Sequence, residues 1–213
     1  MYLSRIALDE SRRATMRALN SPQIFHGAIE SSLPSDEQRS LWRLDRLHNK
    51  TYLLLLSGQK PELSLINEQF GFLGEEGVQQ SKAYEPFLAA LKAGQAWRFR
   101  LCANPVRSSP KAGSRGRVHA HVTQEQQRQW LLERAERNGF LLNEDGFDVV
   151  ETKWLKFRKG EAKNTEVTLR LAAFEGMLTI TDISLFKEAL LNGIGRAKAY
   201  GCGLMTLARI RGD

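Results

Sequence analysis

Cysteine is scarce in this chain of 213 residues: only Cys102 and Cys202 occur, each beside or inside an apolar, strand-like run. So small a number argues against a disulfide framework. Both side chains are expected to be buried thiols of a reducing, cytoplasmic compartment. No uncharged apolar run is long enough to cross a bilayer. The opening Met-Tyr-Leu-Ser-Arg lacks the charged start, apolar block and small residues of a secretory signal. No membrane-spanning segment is therefore expected, and the partners expected below include no membrane. No Gly-Lys-Ser/Thr closes a glycine-rich stretch, which excludes a P-loop. No acidic cluster of metal-binding kind is apparent either, which argues against two-metal hydrolysis. Histidine occurs only four times. His119 and His121 would share one face of a strand, but no third ligand lies near them, and no metal is expected there. No cofactor is expected either.

What the chain has is positive charge and apolar mass. The formal net charge is +7, the sequence pI is about 9.6, and 42% of residues are apolar. This composition supports a packed core and points to an anionic partner, either nucleic acid or an acidic membrane surface. The length allows one large domain or two small ones.

Taken in order, residues 2–8 read as a strand and Ser11–Leu19 as a basic-faced helix. Ser21 and Pro22 fit the N-cap and first position of a helix reaching about Leu33. On it, Ile24 with Ala28, or Phe25 with Ile29, could face a core, and His26 lies between those stripes. Residues 41–47 alternate apolar and charged side chains, the pattern of a half-buried strand. His48–Lys50 makes a turn, with His48 in solvent, and 51–57 is a strand buried on both faces. A helix at 63–70 follows; 75–91 shows no assignable pattern. Residues 96–103 read as a strand closing a first βαββαβ unit. Residues 105–117, with Arg107, Lys111, Arg115 and Arg117 and no acid, read as a basic linker.

The same six-element order then repeats. A strand at 118–122 precedes a helix with a capping box (Thr123, Gln126) and a glycine stop at Gly139. A long strand over 147–157 ends in cations, and 160–164 is a hairpin tip. Residues 165–181 return, with Gly176 expected to break or bulge the run. Asp182 caps a helix to Leu191, and 204–210 is the last strand. The fold expected is α+β: two tandem ferredoxin-like (RRM-like) units, 1–104 and 118–213, joined by the linker 105–117.

Between the last helix and strand lies Asn192-Gly-Ile-Gly-Arg-Ala-Lys-Ala-Tyr-Gly-Cys-Gly. Gly193, Gly195, Gly201 and Gly203, with Arg196 and Lys198, make a turn whose N–H groups and cations suit phosphate. It is not a dinucleotide fingerprint, because Lys198 stands where the third glycine belongs and the loop runs from helix to strand. A tight helix-to-strand turn would account for the glycines alone.

The stretch "GIGRAKAYGCGLMTLA" nevertheless resembles the glycine-rich loop of the CRISPR repeat-RNA endoribonucleases. It is most similar to the CasE family, the processing subunit of the Cascade surveillance complex. "MYLSRIAL", "WRFRLCANPV" and "FEGMLTITD" agree with that family in the same order. The resemblance implies the same pair of ferredoxin-like units. It further implies a metal-independent endoribonuclease that binds the CRISPR repeat stem-loop, cuts at the base of the stem, keeps its product and joins other Cascade subunits.

"SPQIFHGAIE" looks like the family's segment carrying its catalytic histidine, which implies that role for His26. At neutral pH a histidine can take the proton from a 2′-OH or give one to a leaving 5′-oxygen. The products would be a 2′,3′-cyclic phosphate (or 3′-phosphate) and a 5′-OH. Some relatives carry a tyrosine three residues earlier, where this chain has Gln23, which can orient a phosphate but not transfer a proton. His26 would then act alone, or with a cation from 153–159 as electrostatic support. Lys153, Lys156, Arg158, Lys159 and Lys163, with Arg196 and Lys198, are the expected RNA contacts, since A-form stems are read through backbone and shape. The competing reading is a non-catalytic RNA-binding subunit of such a complex.

Overall fold

Strands and helices alternate along the chain in this computed structural model, which describes residues 1–34, 40–72, 74, 79–111, 114–158 and 166–210. The first half holds β1 (Tyr2–Leu8), α1 (Arg13–Asn20), α2 (Gln23–Ser31), β2 (Leu41–Leu47), β3 (Lys50–Ser57), α3 (Leu63–Phe70), β4 (Gln79–Ala83) and α4 (Glu85–Ala90). The second holds β5 (Ala96–Ala103), β6 (Val106–Lys111), β7 (Ser114–Ala120), α5 (Gln124–Ala135), β8 (Phe140–Leu141), β9 (Phe147–Arg158), β10 (Glu166–Ile180), α6 (Ile183–Asn192) and β11 (Met205–Ala208). No helix among the described residues is long and apolar enough to cross a membrane.

Two larger antiparallel sheets form, beside a separate two-stranded one. The first has the order β2-β3-β1-β4; in the second β11, β5 and β10 are neighbours and β9 pairs with β10. Each is the ferredoxin-like order, so the tandem architecture expected from the sequence is present. The strands are divided differently. Residues 96–103 do not close the first sheet: β5 pairs with β10 and β11 at the centre of the second. Its Phe99, Leu101 and Ala103 enter the core formed with Trp130, Phe147, Phe174 and Phe186. The edge beside β1 is taken by β4, in the stretch without an assignable pattern. Its sequence, Gln-Gln-Ser-Lys-Ala, is exposed on both faces, so alternation could not reveal it. Its backbone bonds to β1 hold it, together with Ser4 Oγ donating to Ser81 Oγ at 2.9 Å.

Within the expected linker 105–117 and strand 118–122, Val106–Lys111 and Ser114–Ala120 instead pair as a two-stranded ribbon, β6 with β7. It is inserted between β5 and α5. The pairing shifts around Pro110, which has no N–H to give a ladder. The second ferredoxin-like unit is therefore β5, α5, β9, β10, α6 and β11. Residues 160–164 lie outside the described residues.

Several local signals hold. Thr123 and Gln126 make the reciprocal capping box, and Gly139 ends the α5 region at φ 74°. Asp182 accepts from the N–H groups of Ser184 and Leu185. His48 and Asn49, both at positive φ, make the two-residue hairpin turn between β2 and β3, and His48 is exposed. Two signals do not hold. The Ser21 side chain makes no cap; its carbonyl accepts from Ile24 N–H, and Pro22 stands at the helix entry. Gly176 does not break β10, whose irregularity falls between Ala173 and Phe174.

Candidate active site

On α2, Phe25, Ala28 and Ile29 are buried against Trp42, Ile66 and Phe70, which turns His26 to the helix flank. Its side chain is 34% exposed. His26 Nε2 lies 3.2 Å from Glu30 Oε1, one helical turn on, while Nδ1 is buried without a protein hydrogen-bond partner. Glu30 is 60% exposed, so freeing Nε2 for a ligand gives up only a surface pair worth ~0.2–1 kcal/mol. Gln23, the first residue of α2, precedes His26 by three positions and shares its face.

The glycine loop comes to this helix from the other unit. Its short turn Lys198–Tyr200 packs against α2 and β2. Tyr200 also meets Phe157 of β9 edge-on, ring centroids 4.8 Å apart. One loop thereby joins the histidine helix to the end of the cationic strand. Glycine is required at Gly201: φ is +81°, and a Cβ there would stand 3.0 Å from the ring of Trp42, which is fully buried. Gly27, beside His26, has nothing within 4 Å of a Cβ. Gly201→Ala is expected to cost about 1–2 kcal/mol from backbone strain alone, and more for moving Trp42. Gly27→Ala is expected to stabilise α2 by about 0.5–1 kcal/mol. Thermal unfolding checks the pair; equal midpoints for the two variants would overturn the packing argument.

Of the expected RNA contacts, Lys156 and Arg158 share a face of β9 with the exposed Trp154, over which Arg170 sits 5.4 Å from the ring. Lys153 falls on the other face, 3.6 Å from Glu151, in a small pocket with Cys102, Arg43 and Arg100. Lys159 and Lys163 lie outside the described residues. Arg196 is exposed; Lys198 is half-buried in the turn, and Gly193, Gly195 and Gly203 all take positive φ. Cys102 is half-buried and Cys202 buried, and both are free thiols. A hydrogen bond from Cys202 holds the Cys102 thiol below its usual range; the same bond, with burial, pushes Cys202 well up.

Sequence reasoning missed what holds the loop in place. Leu41, Arg43 and Asp45 alternate along β2 with Trp42 and Leu44, and the charged face is not in solvent. Arg43 is 1% exposed. It donates twice to Asp45, at 2.8 and 2.6 Å, and also to Arg100 O, Leu204 O and Thr206 Oγ1 of the second unit. Arg100 donates to Asp45 at 3.0 Å and pairs with Glu175. Leu41, Leu56, Tyr84 and Leu204 form an apolar cluster beside this network. Burial pushes the Tyr84 hydroxyl up to about 12. A charge on every second residue signalled a wet face only because the covering strand, β11, is far away in sequence.

Comparison with known proteins gives one consistent set. The family model described as CRISPR associated protein matches residues 1–209. The CRISPR-associated endoribonuclease Cse3 of Thermus thermophilus is 30% identical, over 98% of this chain and 100% of its own. The Cascade subunit CasE of Escherichia coli is 30% identical over 55% of this chain and 60% of its own. Among solved structures, Cse3 bound to a 19-nucleotide RNA superposes with a TM-score of 0.81 at 27% identity, covering 98% of this chain and 100% of that one. Thermus thermophilus Cse3 bound to an RNA representing a pre-cleavage complex gives 0.76 at 26% identity, covering 98% of each chain.

Proposed function

Because the chain belongs to the CRISPR-associated protein family, we propose that it is an endoribonuclease that binds the CRISPR repeat stem-loop, cuts precursor crRNA and works with other Cascade subunits. The observation that supports it in the geometry is the meeting of the His26 helix with the glycine-loop turn and, through Tyr200, with the cationic end of β9. A histidine can move a proton, N–H groups can face the growing phosphate charge and a cationic strand can hold the stem, which suits cutting RNA through its own 2′-OH.

In our reading the stem lies along the Trp154, Lys156 and Arg158 face of β9, and the scissile linkage enters between α2 and the turn. The 2′-oxygen attacks phosphorus as its proton leaves; the bond to the 5′-oxygen breaks, and that oxygen takes a proton. His26 Nε2, once free of Glu30, handles one of these transfers. Gln23 donates its amide to a phosphate oxygen, and Lys198 with the loop N–H groups faces the charge that grows there. The products are a 2′,3′-cyclic phosphate and a 5′-OH. A reaction of this kind draws on no metal and proceeds in the reducing cytoplasm, where we place the protein.

Cleavage of the host's repeat hairpin in EDTA, with the product ends identified, tests the activity. A cut that EDTA abolishes overturns the mechanism. The interface is tested separately. Lys156→Ala with Arg158→Ala is expected to weaken hairpin binding and flatten the salt slope by about 1.4–1.8, or 0.7–0.9 per lost phosphate contact. An unchanged slope would remove β9 from the interface.

A further inference from the structure

Away from His26, the other side of the glycine loop borders a second cleft of about 690 Å³, between β6, α5 and the loop. Its volume falls within the roughly 300–1,000 Å³ of ordinary ligand clefts. Cations reach it from separate segments: Arg107 from β6, Arg134 and Arg137 from α5 and the turn after it, and Arg196 from the loop. Among the described residues only one acid, Glu133, lines it, 3.9 Å from Arg134. Among the described residues no carboxylate pairs with Arg107, Arg137 or Arg196. The like charges press on one another. His121, at the rim, is held below its ordinary value by burial and then by Arg107 and Arg134, and Arg134 is lowered by burial and then by Arg137.

Surface arginines alone would be ordinary, but two buried groups line the same cleft with polar atoms unsatisfied. Asn104 is 6% exposed and its Oδ1 has no partner; Trp130 is 2% exposed and its Nε1 has none. The indole N–H needs an acceptor, and the amide oxygen needs a donor. A ribonucleotide supplies both, through its phosphate oxygens and its 2′-OH.

We propose that this cleft is a second RNA site, taking the sugar-phosphate backbone of a single-stranded segment that flanks the stem-loop. The inference rests on the RNA-binding reading above and extends it: the loop would hold the scissile region on one side and the flank on the other.

The test compares the full chain's affinity for the bare repeat hairpin with that for the same hairpin carrying short single-stranded tails. A tail is expected to tighten wild-type binding about tenfold at low salt. Arg107→Ala with Arg137→Ala is expected to lose that gain and to flatten the salt slope on tailed RNA by about 1.4, two phosphates at roughly 0.7 each. Binding of the bare hairpin is expected to be unchanged. No gain from a tail in the wild type, or an equal loss on both RNAs in the variant, overturns the second site alone. A deoxynucleotide tail held as tightly as the RNA tail overturns its assignment to ribose. A wild type that holds neither RNA overturns the RNA-binding reading itself, and this inference with it.

Discussion

His26→Ala is expected to abolish cleavage of the repeat hairpin in EDTA while leaving hairpin affinity within about twofold. Positioned proton transfer contributes on the order of 10²–10⁴ in rate, and Gln23, one turn earlier on α2, cannot take over the transfer. Folding is expected to survive. The side chain is 34% exposed and its one described partner, Glu30, is a surface group. The core side of α2 is carried by Phe25, Ala28 and Ile29 instead. Cleavage at the wild-type rate would sink the assignment to His26. Tight binding with no cut by either protein would favour the non-catalytic RNA-binding reading, with Gln23 as the first residue to restore to tyrosine.

Arg43→Ala is expected to destabilise the protein by about 3–5 kcal/mol, because it leaves Asp45 and two carbonyl groups, of Arg100 and Leu204, with too few partners. For a chain of this size that corresponds to a fall of about 6–20 °C in unfolding midpoint. The effect should reach the site. Arg43 holds Leu204 O and Thr206 Oγ1 at the strand that follows the glycine loop, so its loss loosens the loop from α2. Cleavage is expected to fall even at temperatures where the variant stays folded. Replacing both members, Arg43→Met with Asp45→Leu, is expected to recover much of the stability, since the desolvation of two charges is removed along with their attraction. A loss below about 1 kcal/mol for Arg43→Ala, measured by urea unfolding, would show that Arg100 alone satisfies Asp45.

The sequence by itself determined most of the local structure and the class of chemistry. The alternation in 41–47, the apolar run in 51–57, the capping box at Thr123 and the glycine stop at Gly139 depend on neighbours a few residues away, and so they were legible. The glycine loop stood out as a short contiguous stretch, but its residues alone fit a tight turn, and the roles expected of the loop and of His26 came from the resemblance to a known family. Only the tertiary structure decided which sheet owns 96–103, because a strand with one apolar face fits the edge of one unit and the centre of the other equally well. It also placed β4, which has no apolar face at all and is held by backbone bonds that any sequence can make. It buried Arg43 and Asp45, and gathered Asn104, Trp130, Arg137 and Arg196 around one cleft. Each of these depends on pairing between segments far apart in the chain. Pairing of that kind is selected by the packing of the whole core and by the need to satisfy every buried charge, and neither leaves a periodic mark on the sequence.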